Sequence, residues 1–461
     1  MQFLKKLFAP VDMTVGKPWE KILFFAVPLL IGNIAQQLYN TVDSIVVGQY
    51  VGDAALAAVG TSGPILNLML LLFMGISTGA GILVSQFFGA HKQEDLNRAI
   101  GTCLALTLFA GIIIMIVGPL LSGPLMRLLD TPQDVYGMAV DYLQIVLAGI
   151  LTSAYYNIVS GILRGLGDSF SPLVFLVVAC LLNIVLDLVF VINFDMAAAG
   201  VALATVIAQG ISAVLCLWRL MHMKNIVRIS RKTLIPERRM TARIIRLGLP
   251  SGLTQAIFSL ASIVVQALTN TFGTNVIACM IVVMRVDGFA MLPNFTFGMA
   301  MTTFVGQNVG ARRMDRVQEG VREGLRMGLI IAGVLVAAIL IFGENLMRMF
   351  TSTQEVVALG VHMMRILALG YIAMGVTQSL SGVMRGAGDT VTPMWISIIT
   401  TIVIRVPLAY GIAYLTRTPE LPTGSADCLF YSLLISWLIG AALTTIAYRR
   451  GRWRRGLEAG V

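Results

Sequence analysis

Leu163-Arg164-Gly165-Leu166-Gly167-Asp168-Ser169-Phe170-Ser171-Pro172 returns 221 residues later as Met384-Arg385-Gly386-Ala387-Gly388-Asp389-Thr390-Val391-Thr392-Pro393. Arg, both Gly, Asp and Pro coincide, and two Ser become Thr. At the same shift Gln86, Gly89 and Ala90 fall on Gln307, Gly310 and Ala311. Met126, Arg127, Gln133 and Val135 fall on Met347, Arg348, Gln354 and Val356. One constant offset in three places marks an internal duplication. The Gly pair permits a tight turn, and Asp168 and Asp389 are placed to cap the helices that follow. A phosphate-binding loop would need a strand-to-helix context that these turns lack.

Long apolar runs flank both turns. The chain is 57% hydrophobic and 12% charged, against about 25% charged in a soluble protein. Runs of about 20 apolar residues match a bilayer core about 30 Å thick. Punctuation by Gly, Pro and charge gives twelve spans, at 22–47, 55–83, 96–122, 136–160, 170–193, 197–220, 243–271, 276–305, 317–343, 357–383, 393–415 and 427–448. The expected fold class is an all-α polytopic membrane protein with twelve transmembrane helices in two pseudo-symmetric six-helix lobes. The expected organisation is a cytoplasmic segment 1–21, an N-lobe 22–220, a linker 221–242, a C-lobe 243–448 and a basic tail 449–461. The start, with Phe3, Leu4, Leu7 and Phe8, reads as a short amphipathic piece before an uncleaved first span.

The net charge of +10 alternates with the spans. Basic residues gather before span one (Lys5, Lys6, Lys17, Lys21), after span two (Lys92, Arg98) and after span four (Arg164). They follow span six as Arg219, Lys224, Arg228, Arg231, Lys232, Arg238, Arg239 and Arg243, and span eight as Arg312, Arg313 and Arg316. Arg385 and the closing Arg449, Arg450, Arg452, Arg454 and Arg455 complete the set. The opposite loops hold Arg127, Arg348 and Arg417. The positive-inside rule then puts both termini and the linker in the cytoplasm. The charge is a topology signal, and no nucleic-acid partner is expected. Cys103, Cys180, Cys216, Cys279 and Cys428 lack metal or disulfide spacing. His91, His222 and His362 are far apart, so an enzyme site has no ligand or base set to build on.

An even number of spans per half gives both halves the same sense in the membrane. Such repeats are related by an axis along the normal, with substrate handled between them near the midplane, and they suit alternating access. Span one carries Asn33, Gln36, Gln37, Asn40 and Asp43 on one face, which cannot look at lipid. Span five carries Asn183 and Asp187 one turn apart. Intramembrane acids are functional hypotheses by default. Thr205, Tyr142, Asn157 and Ser160 are candidates to complete a polar cluster. The set can carry H⁺, or hold Na⁺ at Asp43, Asn183 and Asp187; beyond that ion no metal or cofactor is expected. Span seven repeats the stripe without an acid, as Ser251, Gln255, Ser259, Ser262, Gln266 and Asn270. Arg285 and Asp287 in span eight do not share a face. Asp287 is a secondary ion-coupling candidate; the role of Arg405 in span eleven stays open, an anchor toward buried carbonyls being one reading. Met280, Met284, Met291, Met299, Met301 and Met374 suit a pliable cavity, to which Asn33, Gln36, Gln37, Asn40, Gln255, Ser259, Met284 and Asp287 are assigned. Pro28, Pro64, Pro250 and Pro293 mark bends.

Twelve helices in two lobes, the duplicated Arg-Gly-x-Gly-Asp turns and Thr41-Val42-Asp43-Ser44 resemble the bacterial multidrug and toxic compound extrusion (MATE) family. The resemblance covers nearly the whole chain. It implies export of organic, mostly cationic drugs and toxic compounds against H⁺ or Na⁺. It implies ion coupling at Asp43, Asn183, Asp187 and Thr205, with Tyr142 nearby. Where another branch has second-lobe acids in spans seven and ten, this sequence has Phe258 and Met374, which favours first-lobe coupling. A lipid-intermediate flippase of related architecture is the alternative; sparse buried cations and twelve spans argue against it. The expected setting is the inner membrane, the expected state a monomer in the lipid bilayer.

Overall fold

The computed structural model describes residues 9–230, 232–419 and 421–454, without the side chains of Asn40, Asp43, Ser44, Asp53 and Leu56. The amphipathic start and Lys5, Lys6, Arg231 and Arg455 lie outside the described residues. Among the described residues eleven helices are long and apolar enough to cross a membrane. A twelfth span is the pair Gln133–Ala148 and Ile150–Gly165, bent by 49°. The bend falls at Gly149, where a methyl would stand 2.4 Å from Val206, so span four turns where it presses on span six. The chain is therefore an all-α polytopic membrane protein with two six-helix lobes, in the expected helix order. The helices outrun the apolar runs: span two is Asp53–Gly89, span three Gln93–Leu128 and span eight Thr274–Gly310. Their polar ends reach beyond the bilayer core. Outward residues such as Phe109 (68% exposed), Leu120 (75%) and Ile341 (70%) are apolar, as lipid requires.

One compact unit comprises Val27–Gly252 with the segment up to Asp12; the other comprises Met13–Ala26 with Leu253–Val461. Span one, Pro18–Val46, and span seven, Arg238–Thr269, each begin in one unit and end in the other. The segments ahead of them dock accordingly. In the second unit Met13 N donates to Gln307 Oε1 at 2.9 Å, and Arg316 donates to the carbonyls of Met13 (3.0 Å) and Gly16 (2.7 Å). In the first unit the linker docks on span three: Arg228 N donates to Asn97 Oδ1 at 2.9 Å, and Gly101 leaves room for the Thr233 carbonyl.

The duplication extends to turn geometry. At the fourth–fifth turn Gly167 N bonds Arg164 O and Asp168 N bonds Leu163 O, each at 2.9 Å. At the tenth–eleventh turn Gly388 N bonds Arg385 O and Asp389 N bonds Met384 O, also at 2.9 Å. Gly167 (φ +88) and Gly388 (φ +95) supply the left-handed residue that closes each helix. The Asp caps form as expected. Asp168 accepts from Ser171 N (2.9 Å) and Ser171 Oγ (2.6 Å), and Asp389 from Thr392 N (3.0 Å) and Thr392 Oγ1 (2.7 Å).

Small residues set the helix crossings, as in many membrane bundles. A methyl at Gly165 would stand 2.7 Å from Gly81 O, and one at Gly386, its repeat mate, 2.5 Å from Thr302 O. Span two also crosses the start of span seven at Gly75, Gly79 and Gly248, where a methyl on Gly248 would stand 2.4 Å from Gly75 O. Pro28, Pro64, Pro250 and Pro293 all lie inside helices.

Candidate functional site

Span five runs Phe170–Leu188 and passes into a π-helical turn, Val189–Asn193. Asn183 and Asp187 are fully buried, one turn apart. With its amide nitrogen toward the carboxylate, Asn183 donates to Asp187 Oδ2 at 3.1 Å and accepts from the Thr205 N–H at 3.3 Å. The structure thus joins the three residues proposed from spans five and six. Thr205 enters through its backbone rather than its hydroxyl. A buried carboxylate is costly in a membrane unless it is neutralised or bonded. The Asn183 bond supports it from one side.

Span one also ends in a π-helical turn, Val47–Val51, and the two π turns pack together. Extra-residue turns of this kind occur often at functional sites. Val47 and Val191, each four residues beyond an acid of its own helix (Asp43, Asp187), pack with Tyr142, Ala55, Ala198, Val201 and Ala202. Tyr142, almost fully buried, belongs to the same apolar cluster as the ends of both acid-bearing helices. Asp43 and Asn40 belong to the span-one helix, and their side chains lie outside the described residues. On the same helix Asn33 and Gln36 are half-buried and Gln37 is exposed.

Two candidates for the cluster do not join it. Asn157 donates to its own helix at Ser153 O (2.8 Å), and its carbonyl receives Ser77 Oγ at 2.7 Å. Ser160 lies against Cys216 at 3.9 Å. Both sit beyond the Gly149 bend, on the limb of span four away from Tyr142. All five cysteines are free. Among the described residues no group of three or more His, Cys, Asp or Glu is arranged to hold a metal ion.

In the second unit Gln255 and Ser259 are exposed along span seven, and the Ser259 hydroxyl bonds the Gln255 carbonyl at 3.2 Å. Met284 is 53% exposed. Arg285 and Asp287 face apart: the Arg285 guanidinium lies 5.9 Å from the Phe350 ring centre. Asp287 instead accepts a hydrogen bond from the hydroxyl of Tyr371 in span ten. Tyr371 carried no polar pattern that singled it out; its pairing depends on how spans eight and ten pack. The expected carbonyl anchor for Arg405 is not what is found. Its Nε is buried without a hydrogen-bond partner, and the residue ends the π-helical segment Ile399–Arg405.

The family model MatE matches residues 28–189 and again 250–411, one copy per half. The chain is 30% identical over 444 residues to "Probable multidrug resistance protein YpnP" of Bacillus subtilis, covering 96% of this chain and 97% of that protein. It is 29% identical over 416 residues to "Probable multidrug resistance protein YoeA" of the same organism, covering 88% and 90%. Among solved structures, a MATE transporter crystallised with MaL6 superposes with a TM-score of 0.89 at 24% identity, over 97% of this chain and 99% of that one. A Pyrococcus furiosus transporter of the MOP superfamily, described as having a binding pocket of reverse polarity, gives 0.87 at 24% identity, over 97% and 98%.

Proposed function

The chain belongs to the MatE family of multidrug transporters, and from that premise we propose that it exports organic, mostly cationic compounds in exchange for H⁺ or Na⁺. It is a transporter and not an enzyme, and a multi-pass membrane protein. The observation that carries the coupling proposal is the fully buried Asp187 of span five, bonded by Asn183. Asp43, Asp187, Asn183 and Thr205 form the ion site in this reading, and Tyr142 seats it. Asn33, Gln36, Gln37, Asn40, Gln255, Ser259, Met284 and Asp287 contribute to the substrate path. The lobes 22–220 and 243–448 alternate access as a monomer in the inner membrane, with both termini cytoplasmic.

Driving force and geometry fit together in this scheme. Each charge crossing the membrane is worth about 2.3 kcal/mol per 100 mV. An ion drives export only where it binds one orientation better than the other. Neutralising a buried acid removes its desolvation cost and its demand for donors. The π turns just beyond Asp43 and Asp187 give spans one and five a place to rearrange when that demand changes.

The test is ethidium efflux from proteoliposomes under a pH gradient or a Na⁺ gradient alone, for wild type, Asp43→Asn and Asp187→Asn. Efflux driven by ΔpH and lost in both variants, with membrane insertion intact, is expected. A response to ΔNa⁺ alone changes the ion. Efflux that survives both substitutions would falsify first-lobe coupling, and no ion-driven flux at all would favour lipid translocation.

A further inference from the structure

The charged residues well inside the spans differ in sign between the two units. The first unit carries the acids Asp43, Asp141 and Asp187; the second carries Arg285, Arg326, Arg365 and Arg405 against Asp287 and Glu323. Asp287, Tyr371 and Arg405 lie in the middle thirds of their spans, Thr274–Gly310, Gln354–Gly386 and Val391–Leu415. All three belong to the second unit.

Tyr371 is fully buried, and its ring sits 5.9 Å from that of Trp437. It donates its hydroxyl hydrogen to Asp287 Oδ1. That bond and the packed ring fix the carboxylate on the span-ten side. Arg405 and Asp287 interact electrostatically. Their charged atoms nonetheless do not come within the 4.0 Å of an ion pair. The Arg405 Nε is shielded from solvent and has no acceptor. A guanidinium presents a planar fork that suits two carboxylate oxygens, and in low dielectric it is stable only when such acceptors are supplied. Two ions held close by only for helix adhesion would meet in direct contact. These are held apart, one of them clamped by a tyrosine, and both are half-exposed.

We propose that Arg405 and Asp287 form a dipolar subsite for zwitterionic amphiphiles, the ligand's carboxylate seated on Arg405 and its cationic group directed to Asp287. This inference rests on the multidrug-export reading and adds a substrate class to it. Asp287 contributes attraction for the cation common to many ligands. Arg405 contributes selectivity for those that also bear a carboxylate. Tyr371 is the positioning residue, keeping Asp287 from collapsing onto Arg405.

The experiment uses two dyes that differ only in this group: rhodamine 110, a free carboxylate, and rhodamine 123, its methyl ester. Binding to the purified full chain in detergent is read by fluorescence anisotropy. Arg405→Gln should weaken rhodamine 110 about tenfold and rhodamine 123 less than about twofold, the selective loss of one charge-assisted fork. Asp287→Asn should weaken both dyes by a similar factor. Arg405→Lys, which keeps the charge and removes the fork, should show a smaller loss confined to rhodamine 110, and it serves alone if the Gln variant is not monodisperse. Equal effects on the two dyes, no effect of either Arg405 substitution, or no wild-type binding of rhodamine 110 overturns the subsite. Gradient-driven ethidium efflux is measured on the same preparations. If it persists while dye selectivity is unchanged by Arg405→Gln, the export reading stands and the subsite falls. If wild type lacks it, the export reading falls, and the dye comparison still decides the subsite.

Discussion

Arg219 Nε donates to Asp168 Oδ2 at 3.1 Å and to Ser171 Oγ at 3.1 Å, tying span six to the turn between spans four and five. Asp168 is buried and Arg219 is partly exposed. Among the described residues the second half shows no such tie: the residue matching Arg219 is Gly440. Asp389 keeps its two cap bonds to Thr392 and is partly exposed. Asp168→Ala removes a cap and one side of a partly exposed ion pair, a loss of about 2 kcal/mol. Asp389→Ala removes a cap alone, about 1 kcal/mol. Thermal unfolding read with a thiol-reactive dye will check this, since the five cysteines are free and four are buried. Equal shifts for the two variants would show that Arg219 adds nothing.

The crossing of spans two and seven is as tight as backbone allows. A methyl on Gly79 would stand 2.5 Å from Ile244 O, and one on Gly75 3.0 Å from Gly248 O. Backbone carbonyls cannot swing aside as a side chain can. Gly79→Ala and Gly248→Ala should therefore lower stability by at least about 2 kcal/mol, the cost of overpacking. Gly60 in the same span has nothing within 4 Å of an added methyl. Gly60→Ala should be neutral or stabilising by up to about 1 kcal/mol, because Gly in a helix costs entropy. Detergent thermal stability and yield of folded protein measure all three.

Membrane class, helix order and duplication were legible because hydropathy and self-similarity are carried by many residues each. Asn183 and Asp187 were legible because one-turn spacing fixes a shared face whatever the packing. What failed depended on departures from a regular helix. Asn157 and Ser160 share a span with Tyr142 by sequence, yet the bend at Gly149 separates them. Arg405 closes a π-helical segment, Ile399–Arg405, that an α-helical reading of span eleven does not anticipate. Tyr371 and Asp287 are partners only through the contact of spans eight and ten. No local pattern records that contact.

The docking of the segment before span one is held by side chains of the second half. Arg316 is buried and spends its guanidinium on Gly16 O, Met13 O and Asn308 Oδ1 (3.1 Å), while Gln307 accepts Met13 N. Gln307→Leu keeps the volume and deletes the acceptor. Hydrogen exchange at the Met13 amide should then rise about tenfold or more, the effect of losing a bond worth about 1.4 kcal/mol. Amides of span twelve, Cys428–Arg450, should not change. Exchange at Met13 as slow as in wild type would mean that packing, not this bond, holds the segment.

His91 and Arg312 occupy matching places after spans two and eight, and both adopt left-handed backbone, at φ 53 and φ 58. Their surroundings agree. His91 N bonds Phe88 O at 3.1 Å and Lys92 N bonds Phe87 O at 3.1 Å, while Arg312 N bonds Val309 O at 3.0 Å and Arg313 N bonds Asn308 O at 2.8 Å. Helices closed this way favour Gly at the left-handed position, where a Cβ costs roughly 1 kcal/mol. Both side chains are exposed, so removing them sacrifices no core packing. His91→Gly and Arg312→Gly should each stabilise the chain by about 0.5–1 kcal/mol, net of the added unfolded-state entropy. The sites lie in different units and share no partner, so the double variant should sum the two within about 0.5 kcal/mol. The thiol-dye melt can follow both units at once, through Cys103 and Cys216 in one and Cys279 and Cys428 in the other. A lower melting temperature for either Gly variant would show that the native side chain contributes more at its turn than the left-handed backbone costs.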